Sequence, residues 1–310
     1  MAVLTLVSGL PRERQRHRGP LTACLCLLLI VMISSSSLLV RRNLDTTIPL
    51  HAAAVALGPG GALVEVATTD ALVPGSRVLA GMPDSVDLAI QQAAWLAAGT
   101  IPRVTGFEGM VTTALLDLLV LSRPYGVPVA GWSPSWRYVW PRDSALAASA
   151  LARTGHVSDA ERIVTFLQRV QPESGLFQAR YLPDGSGVPD ARGVELDGVG
   201  WALWATGQVA AELSGSDREA FLQRHRTLLD HSTQAALRSI DNRSSLPPPS
   251  TDYWEVKEIR LTLATAALLC AGLEVGAELY GVLGNVQAAD QAAGGAQRLR
   301  DSIKTNFGRN

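Results

Sequence analysis

The sequence has almost no net charge and very few cysteines. Lys plus Arg number 27 and Asp plus Glu 28, giving a formal net charge of −1. Nucleic-acid binding requires an excess of positive charge, which this balance does not provide, so we expect no nucleic-acid partner. Three cysteines, two of them (Cys24 and Cys26) within an apolar run, provide neither a disulfide framework nor a zinc motif. Because charged residues make up only 18% and apolar residues 47% of the chain, we expect a folded protein with a sizeable core.

Several familiar signatures of active sites are also missing. There is no G-x-S-x-G elbow, no Walker loop and no G-x-G-x-x-G after a strand. The five histidines are scattered, and His225 and His231, six residues apart on one predicted helix, point in different directions. The sequence therefore predicts neither a metal site nor a cofactor.

A long apolar stretch runs from Gly19 to Val40 without a charged residue. At about 1.5 Å per helical residue it reaches the roughly 30 Å of a bilayer core. Four arginines precede it and two follow it, which favours a cytoplasmic N-terminus. We predict a basic cytoplasmic tail (1–18), a transmembrane signal anchor (19–40) and a single-pass cell-membrane protein whose remainder is extracytoplasmic. A cleaved signal peptide and a wrongly assigned start are the alternatives; the run ends without the small-residue site that cleavage requires.

Behind the anchor, the pattern changes from strand-like to helical. In the linker (41–83), two β-capable runs flank Gly58–Gly61, which suggests a hairpin. Helical periodicity then predicts one domain over 84–310, in which Val86, Ile90, Ala93 and Ala97 define the apolar face of the first helix. The last helix but one is apolar almost all round, so we expect it to be deeply buried. The predicted helices are 84–98, 107–122, 143–154, 158–170, 195–211, 217–238, 252–280 and 285–305, and the three long loops are 123–141, 171–194 and 239–251.

Tryptophans and acidic residues occur together in three short segments. Two of these segments lie at or beside the long loops, where binding residues are often carried. Sugars present flat C–H faces to aromatic rings and hydroxyls to carboxylates and arginine, so such clusters suit a carbohydrate pocket. The segments contain Trp132, Trp136, Trp140 and Asp143; then Glu195, Asp197, Trp201 and Trp204; then Asp252, Trp254, Glu255 and Glu258.

These segments resemble motifs of the glucoamylase-like enzymes, glycoside hydrolase family 15. Trp136-Arg-Tyr-Val-Trp-Pro-Arg-Asp-Ser144 is similar to the family's W-x-R-D region. Val194-Glu-Leu-Asp-Gly-Val-Gly200, followed by Trp201-Ala-Leu-Trp-Ala205, resembles its second helix-start motif, and Asp252-Tyr-Trp-Glu255 resembles D-x-W-E. The three occur in family order, and the resemblance covers about residues 84–310, the N-terminal portion of a catalytic domain.

The resemblance implies an all-α (α/α)6 toroid of helical hairpins that cleaves α-linked glucosides with inversion. It implies that Glu255 is the general acid and that a sugar is bound by Arg142, Asp143, Trp136, Trp140, Asp197 and Trp254.

The sequence departs from the family at Val256, where a second acidic residue is common. The family's base lies further along, whereas this chain ends 55 residues after Glu255. We therefore expect a toroid incomplete at its C-terminus, in which no general base is present. Glu258, one turn along the same side, is wrongly placed for that task.

Each of these residues, taken singly, also has a structural explanation. Asp252 and Glu255 fit a capping box. Asp143, Glu195 and Asp197 fit first-turn acids that complement helix dipoles. Trp95, Trp201 and Trp204 fit a hydrophobic core. Two further functional readings stay open: a non-catalytic, membrane-tethered saccharide-binding or envelope protein, and a helical toroid of unrelated chemistry.

Overall fold

The computed structural model describes residues 54–67, 69–103, 105–251, 255–256 and 258–308, which are called the described residues below. The predicted cytoplasmic tail and signal anchor lie outside them, as do Asp252, Tyr253 and Trp254. Most of the described residues are helical, as the periodicity of the sequence predicted.

An antiparallel strand pair is found where the sequence suggested a hairpin. Strand β1 (Ala54–Leu57) pairs with β2 (Leu63–Val66), and Leu57 lies opposite Leu63. Gly60 in the turn has φ +65°, a conformation that glycine adopts without the strain of a side chain. The pair packs against helices α1 (Ser85–Ala97) and α2 (Glu108–Ser122) through a small apolar cluster of Val55, Leu57, Val78, Leu88 and Val120.

Helix α1 buries a different face from the one that its apolar residues predicted. Val86 and Ile90 are 64% and 60% exposed, whereas Leu88, Gln92 and Leu96 are buried. The side chain of Gln92 accepts a hydrogen bond from the Arg77 backbone N–H at 2.7 Å and donates one to its carbonyl at 3.4 Å. Burial of this amide is therefore compensated, and the contact with the preceding loop fixes which face turns inward.

Beyond α2, the chain forms three successive helical hairpins. Their first helices pack side by side and run in the same direction, since Ser149 contacts Gln208 and Gly207 lies against Val275, each pair lying late in its two helices. The helices that follow in each hairpin pack against this layer. The hairpins are α3 (Pro141–Arg153) with α4 (Val157–Val170), α5 (Asp197–Ala211) with α6 (Gly215–Arg224) and α7 (Arg226–Ser239), and α8 (Leu263–Val282) with α9 (Val286–Phe307).

The backbones of α5 and α8 touch through glycine. A Cβ atom on Gly200 would lie 2.4 Å from the carbonyl oxygen of Leu268, and one on Gly272 would lie 2.9 Å from the Cα atom of Gly200. These distances are too short for any side chain, so the crossing requires glycine at both positions. The first turn of α5 is thereby held against the first half of α8.

The helix predicted over 217–238 is interrupted at His225, between α6 and α7. The imidazole is buried, its Nδ1 donates to the carbonyl of Phe221 at 2.9 Å, and its Nε2 lies 3.1 Å from the Thr165 hydroxyl on α4. Burial lowers the pKa of His225, which favours the neutral ring. This contact to a distant helix is not visible in a local pattern.

The helix predicted over 252–280 begins only at Leu263, and the side chain of Thr262 caps it by accepting from the backbone N–H of Thr265. Glu255 therefore lies outside the helix, and the capping-box interpretation of Glu255 is wrong. Helix α8 buries one stripe rather than its whole circumference, with Leu263 48% exposed. Among the described residues it alone is long and apolar enough to cross a membrane, a test that core helices also pass.

Candidate functional site

The first turns of α3 and α5 form the frame of the site. Trp140 is the N-cap residue of α3, and Pro141 follows at the first helical position, where its fixed φ suits a helix start. Asp197 is the first residue of α5. Because the two helices are neighbours and run in the same direction, their N-terminal ends meet. Residues from two of the three tryptophan–carboxylate segments thus come together at one end of the hairpins.

A buried cluster of opposite charges joins these two turns. Nη1 of Arg142 lies 3.3 Å from Oε2 of Glu195 and 3.5 Å from Oδ2 of Asp197. Both acids are only 3% exposed. Burial raises the pKa of Asp197, and the Arg142 charge and the Trp201 indole N–H oppose that rise. The indole lies near the carboxylate without hydrogen-bond geometry, so Oδ1 of Asp197 and Nε1 of Trp201 remain without a hydrogen-bond partner among the described residues.

Glu255, from the third segment, meets the same end of α3. The indole N–H of Trp140 donates to Oε1 of Glu255 at 2.5 Å, and Arg192 forms an ion pair with Oε2. The backbone of Glu255 has φ +55°, a left-handed conformation that costs a non-glycine residue about 1–3 kcal/mol. Strain of this kind persists only where surrounding contacts enforce it, and it is common at functional sites.

Two arginines that the sequence did not single out complete a ring of contacts around Glu255. Arg192 also binds Asp190, with 3.1 Å from its Nε to Oδ2. Asp190 in turn pairs with Arg180, whose guanidinium carbon lies 4.1 Å from the Tyr138 ring centroid and 5.2 Å from that of Trp140. The two guanidinium groups hold the pKa of Asp190 below its ordinary value. Charge and cation–π contacts thus link the loop residues to the tryptophan that binds Glu255.

Backbone hydrogen bonds order the three long loops at this end. Val139 and Tyr181 exchange both backbone hydrogen bonds, at 3.0 and 2.9 Å. Glu195 donates to Phe177 and forms a parallel bridge with Thr251. These bridges connect loops that are far apart in sequence. Backbone hydrogen bonds beside Arg180, Arg192 and Glu195 therefore fix their positions, in addition to the contacts of their side chains.

Two of the predicted sugar-binding residues lie apart from these charge clusters. Asp143 lines a cavity of about 430 Å³ between α2 and α3, together with Leu146 and Ala147. Burial raises the pKa of Asp143 and the Arg142 charge opposes that rise, although the residue as a whole is exposed. Trp136 is 56% exposed, with its ring 5.8 Å from that of Trp140. Trp254 lies outside the described residues.

The remaining aromatic and acidic candidates have other surroundings. Trp201 and Trp204 are partly buried, pack on the core, and meet edge to face at 5.6 Å, consistent with the core interpretation. Glu258 lines a separate cavity of about 550 Å³ with Arg238 and Ser250. Within the part of the chain that the structure describes, no three His, Cys, Asp or Glu side chains come together as a metal-binding group.

Comparison with known proteins gives a partial match to glycosidases. No protein-family model matches the chain. Over 114 residues the chain is 32% identical to an uncharacterized glycosyl hydrolase of Methanocaldococcus jannaschii; the match covers 36% of this chain and 18% of that protein. The chain therefore spans less than a fifth of that relative.

Solved structures extend the likeness to the fold. Three glycosidase structures, each of a point variant and one in complex with glucose, superpose with a TM-score of 0.50 and 21% identity. Each match covers 61% of this chain and 55% of the glycosidase chain. The chain thus shares a glycosidase fold over much of its described length.

Proposed function

We propose that the chain is a glycoside hydrolase-like protein that binds a saccharide at the N-terminal ends of α3 and α5. One observation carries the proposal: three segments far apart in sequence meet at a single place. Arg142 of the first segment pairs with Glu195 and Asp197 of the second, and Trp140 of the first binds Glu255 of the third. Structural roles assigned to each residue separately give no reason for such a meeting.

The groups at this place suit the chemistry of a sugar. Trp136 offers an exposed ring to the C–H face of a saccharide, next to the ring of Trp140. Arg142 presents a rigid fork of donors to hydroxyl oxygens, and carboxylate oxygens accept from hydroxyl protons. The buried carboxylate of Asp197 and the indole N–H of Trp201 lie close together beside Arg142.

We assign Glu255 as the general acid that protonates the departing glycosidic oxygen. In the structure the indole N–H of Trp140 and the guanidinium group of Arg192 both bind its carboxylate. A bound saccharide must therefore displace Arg192 to reach Oε2 of Glu255. The unusual backbone of Glu255 places its side chain in this ring of contacts rather than along a helix.

We further propose inverting cleavage of α-glucosidic bonds within an (α/α)6 toroid. Inversion requires a second carboxylate roughly 6.5–9.5 Å from the acid, across the sugar, to activate water. We assign no described residue to that task, because Glu195 and Asp197 are paired with Arg142, and Asp190 with Arg180 and Arg192. A membrane anchor at 19–40 would hold the helical domain outside the cytoplasm. A reporter that is active only outside should then be active when fused after residue 80.

A second candidate function is saccharide binding without hydrolysis. It is favoured by the same ion pairs, since each of the four carboxylates just named, Glu255 included, is engaged by an arginine. A site of this kind keeps the means of holding a sugar while its acid stays bound to Arg192. The two functions predict equal binding and different turnover.

The test measures both quantities on the full chain. Glucose release from maltotriose and trehalose is followed by NMR, which also identifies the first-formed anomer, and maltotriose affinity is measured by calorimetry. Hydrolysis that gives β-glucose supports the proposed reaction. Binding without turnover supports the second candidate. A folded chain that neither binds nor cleaves these sugars would contradict both.

A further inference from the structure

A cavity of about 440 Å³ lies at the opposite end of the first hairpin from the candidate site. It is bordered by the last turns of α1 and α2 and by the first turns of α4, and Trp95 and Arg123 line it. Helix α3 spans 13 residues between the two places, which at 1.5 Å per residue is about 20 Å. No step of the proposed hydrolysis uses this cavity.

Trp95 forms a rigid aromatic wall of this cavity. One face of its indole stacks on His156, with ring centroids 3.6 Å apart and an angle of 7° between the planes. Its Nε1 donates to Oδ2 of Asp159 at 2.9 Å. With one face and the ring nitrogen both engaged, the indole is held in place and what remains available to a ligand is apolar ring surface. Preorganisation of this kind reduces the entropy cost of binding.

The polar groups that remain available in the cavity are mainly cationic donors. The side chain of Arg123 has no ion-pair or hydrogen-bond partner among the described residues, and a Cβ atom on Gly61 of the strand turn would lie 3.1 Å from its Nη2. Arg162 is paired with Asp159 through one Nη and extends its aliphatic stem over Gly126. The cavity lining therefore contains two arginines and one carboxylate, that of Asp159, which is already paired with Arg162.

From this juxtaposition we infer a second binding site that accepts an anionic saccharide, a sugar ring bearing a phosphate or a carboxylate. Guanidinium forks match both anions in a bidentate manner. The indole surface of Trp95 suits the C–H face of the ring, and the amide of Gln91 and the hydroxyl of Ser122 can exchange hydrogen bonds with ring hydroxyls. The cavity volume lies in the range of small-ligand sites. The inference does not rest on the proposed hydrolase function.

Equilibrium dialysis with the full chain in mild detergent tests the inference. The probes are glucose 6-phosphate and glucuronate, with glucose and inorganic phosphate as the neutral and the ring-free controls. At least one charged sugar should bind about tenfold more tightly than either control. Comparison of the two charged sugars identifies whether phosphate or carboxylate is the preferred anion.

Variants locate the binding. Arg123→Gln should weaken binding of the charged sugar about tenfold, and Arg103→Gln, at another exposed arginine, should leave it unchanged. Arg142→Lys, which should weaken sugar binding at the candidate active site, should also leave it unchanged, and this separates the two sites. Thermal melting verifies that each variant is folded.

Three results would overturn the inference. The first is that folded wild-type chain binds neither charged sugar more tightly than glucose. The second is that phosphate alone binds as tightly as glucose 6-phosphate, which would describe an anion site without sugar recognition. The third is that binding of the charged sugar survives Arg123→Gln or is lost in Arg142→Lys.

Discussion

The two halves of the candidate site are supported in different ways. Arg142 and Asp197 lie in the first turns of packed helices, and their side chains are joined by an ion pair in buried surroundings. Glu255 lies in an irregular segment, seven residues before the cap of α8, and has left-handed backbone. Helix packing holds the first half, whereas side-chain contacts from Trp140 and Arg192 hold the second.

This difference suits a division of tasks between binding and chemistry. Groups that grip a sugar benefit from rigid elements, because small displacements weaken several hydrogen bonds together. A general acid must exchange a proton and change its charge during the reaction, so contacts that can be rearranged suit it better. The two halves should therefore respond differently to mutation.

The largest expected effect comes from the irregular half. Where the chain releases glucose, Glu255→Gln should lower the rate about 100- to 10,000-fold, because general acid assistance is worth that much, while maltotriose affinity changes little. Glu258→Gln is the matched control, since Glu258 lines a separate cavity. Equal loss of rate in both variants, or none in Glu255→Gln, would remove Glu255 from the acid role.

Gly200→Ala should disrupt the packing of α5 on α8, which supports the helical half of the site, Arg142 and Asp197. The added Cβ atom would meet the backbone carbonyl of Leu268 at 2.4 Å, which cannot move aside as a flexible side chain can. We expect a loss of about 3 kcal/mol in unfolding free energy, measured by denaturant titration. Gly281→Ala, in the same helix as Leu268, has open space around its Cβ and should stabilise the protein by about 0.5–1 kcal/mol. A similar effect of both variants would contradict the tight crossing.

Arg142→Lys tests whether the guanidinium group of Arg142, in the helical half of the site, contacts the sugar. Lysine keeps the charge but loses the fork that faces Glu195 and Asp197. Maltotriose binding should weaken by about 1–3 kcal/mol in calorimetry, with the fold intact. Arg153→Lys, at the other end of α3, is the control. Unchanged affinity in a folded Arg142→Lys variant would show that Arg142 does not contact the sugar.

The smallest expected effects concern the pH dependence of stability, and their signs differ between the halves. The pKa of Asp197 is raised on folding, so the native state holds its proton longer and stability falls as pH rises above the unfolded value of about 3.8. The pKa of Asp190 is lowered, so its contribution is present above that value and is lost as pH falls through the folded pKa.

The variants Asp197→Asn and Asp190→Asn should therefore shift thermal stability in opposite directions. At each pH between 4 and 7, Asp197→Asn should be more stable than wild type and Asp190→Asn should be less stable than wild type. Melting temperatures across this interval provide the measurement. Shifts of the same sign would mean that burial and charge pairing do not act as described at one of the two residues.

Local sequence patterns predicted most helices and the strand pair, and missed features set by distant contacts. The apolar face of α1 was assigned to Val86 and Ile90, but Gln92 is buried because the Arg77 backbone satisfies its amide. The interruption at His225 depends on Thr165, 60 residues away in sequence. Neither partner lies within the window that a periodicity argument examines.

The candidate site was predicted in the same uneven way. The clustering of tryptophans and acids pointed to Trp140, Asp197 and Glu255, and the family resemblance added Arg142. The structure brings these residues to one end of the hairpins. Arg180 and Arg192 were missed, since single arginines in a loop rich in glycine, proline and aspartate carry no local signal. Only the fold shows that Asp190 joins them and that Arg192 reaches Glu255.

The glycine crossing of α5 and α8 has a consequence for how such a site changes over evolutionary time. Gly200 and Gly272 are not among the residues that contact Arg142 or Glu255, yet their lack of side chains sets the distance between the two helix backbones. The segment that carries Glu255 leads directly into α8. A methyl group at either glycine would push the two backbones apart. Under the proposed function, such a change would alter the spacing between Arg142 and Glu255 while every residue of the site is retained.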